Sequence, residues 1–129
     1  ATQIPLLVLL LEDEPDQGEM YRLGLEASGL RVIAATSGAE GIQRAHREQP
    51  DAIVLDVRLP DMSGWDVCVA LKREPATEPI PIIILTAAAQ PALEEQAEAS
   101  GCAASLLKPC FPDELARRIR AVVTPHVQP

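Results

Sequence analysis

A chain of 129 residues, 47% apolar and 23% charged, has an ordinary globular balance and suits one domain that buries its core without staples. Its net charge of −8 makes a surface that repels nucleic acid and anionic membrane, although another domain on the same polypeptide is free to bind DNA. Cys68, Cys102 and Cys110 are odd in number and lack CxxC spacing, so they read as neither a disulfide framework nor a zinc site; a reducing, cytoplasmic compartment is expected.

Trp65, Tyr21 and Phe111 are the only aromatics. The core must therefore come from Leu, Ile, Val and Ala, a palette that suits helices packed on a buried parallel sheet. The first apolar run, Leu6–Leu11, reads as a buried strand. The stretch Ile4–Leu11 is too short to span a bilayer and lacks the basic start and cleavage site of a signal peptide. A helix is predicted over Pro15–Ser28, stopped by Gly29. Strand Leu30–Ala35 follows, then helix Ser37–Glu48, opened by a capping box of Ser37 and Glu40. Strand Ala52–Leu55 leads to helix Ser63–Arg73, and strand Ile80–Leu85 to helix Pro91–Ser100, stopped by Gly101. The last pair is strand Ala104–Leu107 and helix Phe111–Val123, with Pro112 in its first turn and Asp113 and Glu114 near its positive end. The segment Thr124–Pro129 carries Pro125 and Pro129 and reads as an end or linker. A start at Ala1 rather than Met fits a processed or excised piece. One domain over 1–129, with its core at about 6–123, is the expected organisation.

Five alternations of strand and helix predict an α/β fold, (βα)5, with helices on both faces of a parallel sheet and right-handed crossovers. Function in such a sheet sits beyond the carboxyl ends of the strands. The first strand leads into Glu12, Asp13 and Glu14, the third ends in Asp56, the fourth in Thr86, and the fifth leads into Lys108. Taken singly, these are ordinary: solvated loop acids, a turn aspartate, a capping hydroxyl, a surface lysine. Lys72 and Lys108 are the only lysines beside nine arginines, which singles out Lys108 slightly. Taken together, all four features crowd one sheet edge. Two like charges ~4 Å apart repel by a few kcal/mol at intermediate dielectric, so the acids ask for a cation. Oxygen ligands without a nearby His favour Mg²⁺, or a similar ion such as Mn²⁺, over zinc. One carboxylate is then placed to act as a nucleophile and form an acyl phosphate, with Thr86 and Lys108 holding the oxygens of the transferred group.

The stretches LLLEDEPD (Leu9–Asp16), IVLDVRLPDMSG (Ile53–Gly64), IIILTA (Ile82–Ala87) and LLKP (Leu106–Pro109) resemble the receiver domain of two-component response regulators. The resemblance spans Leu6 to about Val123, with steps of 43 residues from Asp13 to Asp56, 30 to Thr86 and 22 to Lys108. It implies a flavodoxin-like sheet in the order 2-1-3-4-5 and Asp56 as phosphoacceptor. It also implies that Asp13, Asp56, the Arg58 backbone carbonyl and, through water, Glu12 hold the metal. Thr86 is expected to move toward the phosphoryl group and Lys108 to contact its oxygen, with a cis Lys108–Pro109 bond. The implied donor is a histidine kinase or histidine phosphotransfer domain, and the implied output an effector domain or partner protein. The domain is then a regulatory phosphoacceptor, catalysing only its own phosphorylation and dephosphorylation.

Ser105 departs from the family pattern, which places Tyr or Phe three residues before the lysine; Cys110 replaces the usual Phe, although Phe111 follows. A serine cannot move the apolar area of a swinging ring, so a muted or rerouted output is expected at the face of the last two helices and fifth strand. The resemblance implies that the positions of Arg58 and Ala88 gate hydrolytic water, with opposing expected effects. A phosphorylation-independent binding module is the alternative that Ser105 motivates. A flavodoxin-like cofactor binder is disfavoured by the acidic loop after the first strand. A phosphatase with its nucleophile after that strand is disfavoured by the Glu12–Asp13–Glu14–Pro15 spacing, and Cys102 and Cys110 lack a plausible His partner, because His46 lies in a helix and His126 in the tail.

Overall fold

A computed structural model describes residues 5–86, 99–108 and 110–127, with side chains described through residue 123. Five parallel strands, β1 (Leu7–Leu11), β2 (Arg31–Ala35), β3 (Ala52–Asp56), β4 (Ile82–Thr86) and β5 (Ala104–Leu107), form one sheet in the order β2-β1-β3-β4-β5. The described helices are α1 (Pro15–Ala27), α2 (Gly38–Glu48), α3 (Gly64–Arg73) and α4 (Pro112–Val127). This is the flavodoxin-like receiver fold expected above. The predicted helix Pro91–Ser100 lies outside the described residues except for 99 and 100, which are helical before Gly101. Ala88 and the Lys108–Pro109 bond also lie outside them.

Period-two alternation divides each central strand between two cores. Val8, Leu10, Val54, Ile83 and Leu85 pack with Tyr21 and Leu25 of α1 and Leu115 and Ile119 of α4. Leu9, Leu11, Ile53, Leu55, Ile82 and Ile84 pack on the other face with Ala45 of α2 and Trp65, Val67 and Leu71 of α3. Both parities are buried, which is why the runs read as continuous rather than alternating. Each fully buried Leu or Ile contributes roughly 1.5–3 kcal/mol. The edge strands β2 and β5 are less buried.

Local chemistry sets the helix ends. Ser37 accepts the Glu40 N–H at 3.1 Å, while the Glu40 carboxylate accepts the Thr36 N–H at 2.9 Å, one residue before the partner a capping box uses. The Ser63 hydroxyl accepts the Asp66 N–H at 3.2 Å. α1 is capped by Glu14, whose carboxylate accepts the N–H groups of Asp16 and Gln17 at 3.2 and 2.7 Å. Behind it, Gly29 at φ 91 takes the left-handed conformation that ends the helix. The backbone of α4 runs to Val127, past the predicted stop at Val123; Pro125 removes one donor without ending the helix.

A second capping contact ties the β3–α3 loop to α2. Asp61 accepts the N–H groups of Gly38 and Ala39 at 2.7 and 2.9 Å. The Ala39 and Gly38 N–H groups hold its carboxyl below the ordinary value of 3.8. A depressed acid contributes stability that is present above the unfolded value and lost as pH falls through the folded one. Asp61→Asn is therefore expected to lower the thermal midpoint at neutral pH. As pH falls through the folded value that deficit should vanish, and a deficit that persists in the acid-protonated protein would show that charge is not the cause.

Candidate functional site

Asp56 is the last residue of β3, in register with Leu85 of β4. It shares the parity of Val54, as Glu12 shares that of Leu10, so both acids emerge on the α1–α4 side of the sheet. Lys108 follows β5, and its N–H donates to the Thr86 carbonyl at 2.7 Å. Thr86 ends β4, opposite Leu107, and is buried. Four strand ends thus deliver two acids, a hydroxyl and an ammonium to one edge.

The Lys108 ammonium joins them. Nζ donates to Asp56 Oδ2 at 2.6 Å, to Gln17 Oε1 at 2.7 Å and to Glu12 Oε1 at 3.3 Å. Asp56 Oδ1 accepts the Arg58 N–H at 2.8 Å, so both carboxylate oxygens are held. Glu12 Oε2 accepts the Glu14 N–H at 3.2 Å. Asp56 is only 9% exposed and Glu12 6%, whereas Asp13, the next residue along the chain from Glu12, is exposed. Burial pushes the Glu12 carboxyl up; the Glu14 N–H opposes this, the Asp56 charge adds to it, and Lys108 opposes it again. For Lys108, burial works against the ammonium, but the hydrogen bond and charge of Asp56, with Glu12, hold it above its ordinary value.

The structure therefore brings together Glu12, Asp56 and Lys108, with Thr86 adjacent through the backbone of Lys108. Arg58 is exposed, and an antiparallel bridge to Ser63 closes its loop. Ser105 lies half-buried in β5 opposite Ile84. Among the described residues, no three His, Cys, Asp or Glu side chains converge as a ready-made metal cage. Glu12 and Asp56 nevertheless bring two carboxylates to the same ammonium, and carboxylate oxygens are the donors that hard divalent cations take.

Two supporting residues were not singled out by sequence reasoning. Gln17 reads as a solvated residue in a helical first turn, yet it holds Lys108. Gly64 closes the second motif, and its N–H donates to the Val57 carbonyl at 2.7 Å. A Cβ there would lie 2.5 Å from the Asp56 carbonyl oxygen and 2.9 Å from Val57 Cα. Backbone cannot yield as a flexible side chain can, so Gly64→Ala is expected to cost about 1–3 kcal/mol by overpacking. It should also displace the end of β3. Denaturant unfolding checks the first effect, and an unchanged midpoint would contradict the close approach.

Residues 8–120 match the response regulator receiver domain family. The transcriptional regulator RpaA of Synechocystis is 35% identical over 116 residues, covering 90% of this chain and 48% of that protein. The polar-differentiation response regulator DivK of Brucella anthropi is 35% identical over 106 residues, covering 82% and 86%. Among solved structures, the chemotaxis response regulator CheY4 of Vibrio cholerae superposes with a TM-score of 0.85 at 27% identity, covering 92% of this chain and 99% of that one. The receiver domain of sensor histidine kinase PA1611 from Pseudomonas aeruginosa, with magnesium in its active-site cleft, gives 0.85 at 29%, covering 94% and 99%. The chain belongs to the response regulator receiver domain family and is a phosphorelay receiver. It is a regulatory module rather than an enzyme with a separate substrate. It spans about half the length of the transcriptional regulator RpaA. Among the described residues, no helix is long and apolar enough to cross a membrane.

Proposed function

We propose that Asp56 is the phosphoacceptor. A carboxylate oxygen of Asp56 forms a bond to phosphorus as the bond from phosphorus to the donor's histidine nitrogen breaks, leaving an aspartyl phosphate. The observation that carries this reading is the buried Asp56 carboxylate, gripped by the Arg58 N–H on one oxygen and the Lys108 ammonium on the other. Lys108 and the Thr86 hydroxyl would hold the transferred oxygens. Asp13, Asp56, the Arg58 carbonyl and, through water, Glu12 would hold Mg²⁺ or Mn²⁺. Such an ion supplies charge neutralisation of the phosphoryl oxygens when bound.

Intact mass after incubation with acetyl phosphate and Mg²⁺ tests the reading. One phosphoryl group gained with Mg²⁺, and none in a metal-free sample, is expected. No gain in folded protein, repeated with a phosphorylated donor domain, would favour the phosphorylation-independent binding module instead.

The donor is a histidine kinase or histidine phosphotransfer domain in a cytoplasmic setting. Its docking face is a groove of about 730 Å³ lined by Gln17, Met20, Tyr21, Lys108, Cys110 and Phe111. Lys108 belongs to both groove and site, so a donor seated there reaches Asp56. Phe111, 67% exposed, is its apolar anchor. Phe111→Ser is expected to slow transfer from a donor domain about tenfold more than transfer from acetyl phosphate; equal slowing would remove the groove from consideration. An effector domain or separate protein reads the output, and the net charge of −8 assigns no nucleic-acid contact to this chain. Ser105 leaves acceptance intact and mutes or reroutes the output through β5 and α4. A large shift of that surface between free and phosphoryl-mimic structures would sink this last point.

A further inference from the structure

An ammonium carries three N–H groups and accepts nothing. The three donors of Lys108 have three oxygens, and two of them belong to Asp56 and Glu12. With Asp56 as the acceptor, both acids would change their surroundings when a cation or phosphoryl group arrives. The third oxygen, Gln17 Oε1 at 2.7 Å, is a neutral amide carbonyl that takes part in neither event.

Gln17 is itself well anchored. Its N–H donates to the capping carboxylate of Glu14 at 2.7 Å, and α1 is seated on the sheet by Tyr21 and Leu25. The carbonyl therefore projects from a fixed first turn. Lys108 is the opposite case, a compact charge on a flexible four-carbon stem. Without a fixed acceptor, its third donor turns to water or closes on Glu12, drawing Nζ away from Asp56.

We propose that Gln17 is a positioning residue, keeping the Lys108 ammonium aimed at Asp56 while the two acids exchange partners. This rests on the reading of Asp56 as the acceptor. The neutrality of Gln17 matters, because another carboxylate would compete with the phosphoryl oxygens for the same ammonium. Its sequence neighbours gave no sign of the role, since the contact spans 91 residues.

Lys72 and Lys108 are the only lysines, so ¹⁵N-lysine labelling yields two ammonium resonances. Lys72 donates to the carbonyls of Glu78 and Ile80 at 2.7 and 2.8 Å and serves as an internal control for folding. Gln17→Leu keeps the bulk and removes the acceptor. It is expected to shift the Lys108 resonance and speed its hydrogen exchange, leaving Lys72 unchanged. Phosphorylation by acetyl phosphate and Mg²⁺ should slow about tenfold, as a misaimed charged group would produce. Gln17→Glu, which retains an acceptor oxygen, should restore the slow hydrogen exchange of Lys108. An unchanged Lys108 signal in Gln17→Leu would overturn the proposal, whatever the rate. So would a shifted signal with an unchanged rate. If the wild-type protein takes up no phosphoryl group, the acceptor reading fails, and the ammonium signal alone decides whether Gln17 holds Lys108.

Discussion

Asp56→Asn is expected to abolish the phosphoryl gain entirely. An amide cannot form the acyl phosphate, and no second carboxylate among the described residues shares the grip seen at Asp56: one oxygen on the Arg58 N–H, the other on Lys108. The substitution is not electrically silent. Asn offers one acceptor and one amino group where two acceptors are used, so either the Arg58 N–H or Lys108 faces a donor. A buried donor left without a partner costs about 1–3 kcal/mol, though losing an acid from a crowded acidic edge offsets part of it. Circular dichroism at working temperature must therefore accompany the intact-mass measurement. Folded protein with no mass gain is the expected result. A gain that persists would place the acceptor elsewhere and end the reading of Asp56.

Lys108→Met should combine a loss of stability with a loss of transfer. It keeps an unbranched chain of similar size but removes the only ammonium seen on Asp56 and Glu12. Breaking an enclosed ion pair costs about 3–5 kcal/mol, and the Lys108 and Asp56 side chains keep 14% and 11% of their surface in water, so about 2 kcal/mol is expected. The pH dependence carries a signature. Burial already pushes the Glu12 carboxyl above 4.5, and Lys108 opposes that rise. Without the lysine, the folded carboxyl rises further. An acid whose folded value is raised favours the folded state as pH falls, so the deficit should be largest at neutral pH and shrink under acid. In the wild type, the raised Lys108 contributes stability that is complete below 10.5 and lost as pH rises through its folded value. Mg²⁺ should raise the thermal midpoint of Lys108→Met more than that of the wild type, because the ammonium no longer competes for the same carboxylates. Phosphorylation by acetyl phosphate should slow about 10²-fold, the scale for removing one donor to developing charge. Thermal melts with and without Mg²⁺ check the first part. Equal metal responses in the two proteins would show that Lys108 and the cation do not share ligands.

Much of this was legible because the physics is local. Central parallel strands are buried on both faces, so β1, β3 and β4 announced themselves as unbroken apolar runs. Ser37 and Ser63 stood where hydroxyl caps belong. The boundaries that slipped have simple causes. Ile80 belongs to an apolar run but precedes Pro81, which cannot donate to a ladder, so β4 begins at Ile82. Glu14 was indistinguishable from Glu12 and Asp13 as one of three adjacent acids; only the fold turned it into the cap of α1.

By itself, the sequence determined the alternation of strands and helices and the placing of Glu12, Asp56, Thr86 and Lys108 at strand ends. Hydrophobic period and turn chemistry act over a few residues, and both can be read along a chain. The tertiary structure decided what those residues touch. It gave the Lys108 ammonium its three oxygens, drew Gln17 into that grip, set Asp61 on the α2 terminus and pressed Gly64 against the backbone of Asp56. Each of these contacts joins elements that only packing of the sheet and its helices brings side by side. A polar side chain in a helical first turn carries no mark of whether it meets water or a lysine from a distant strand.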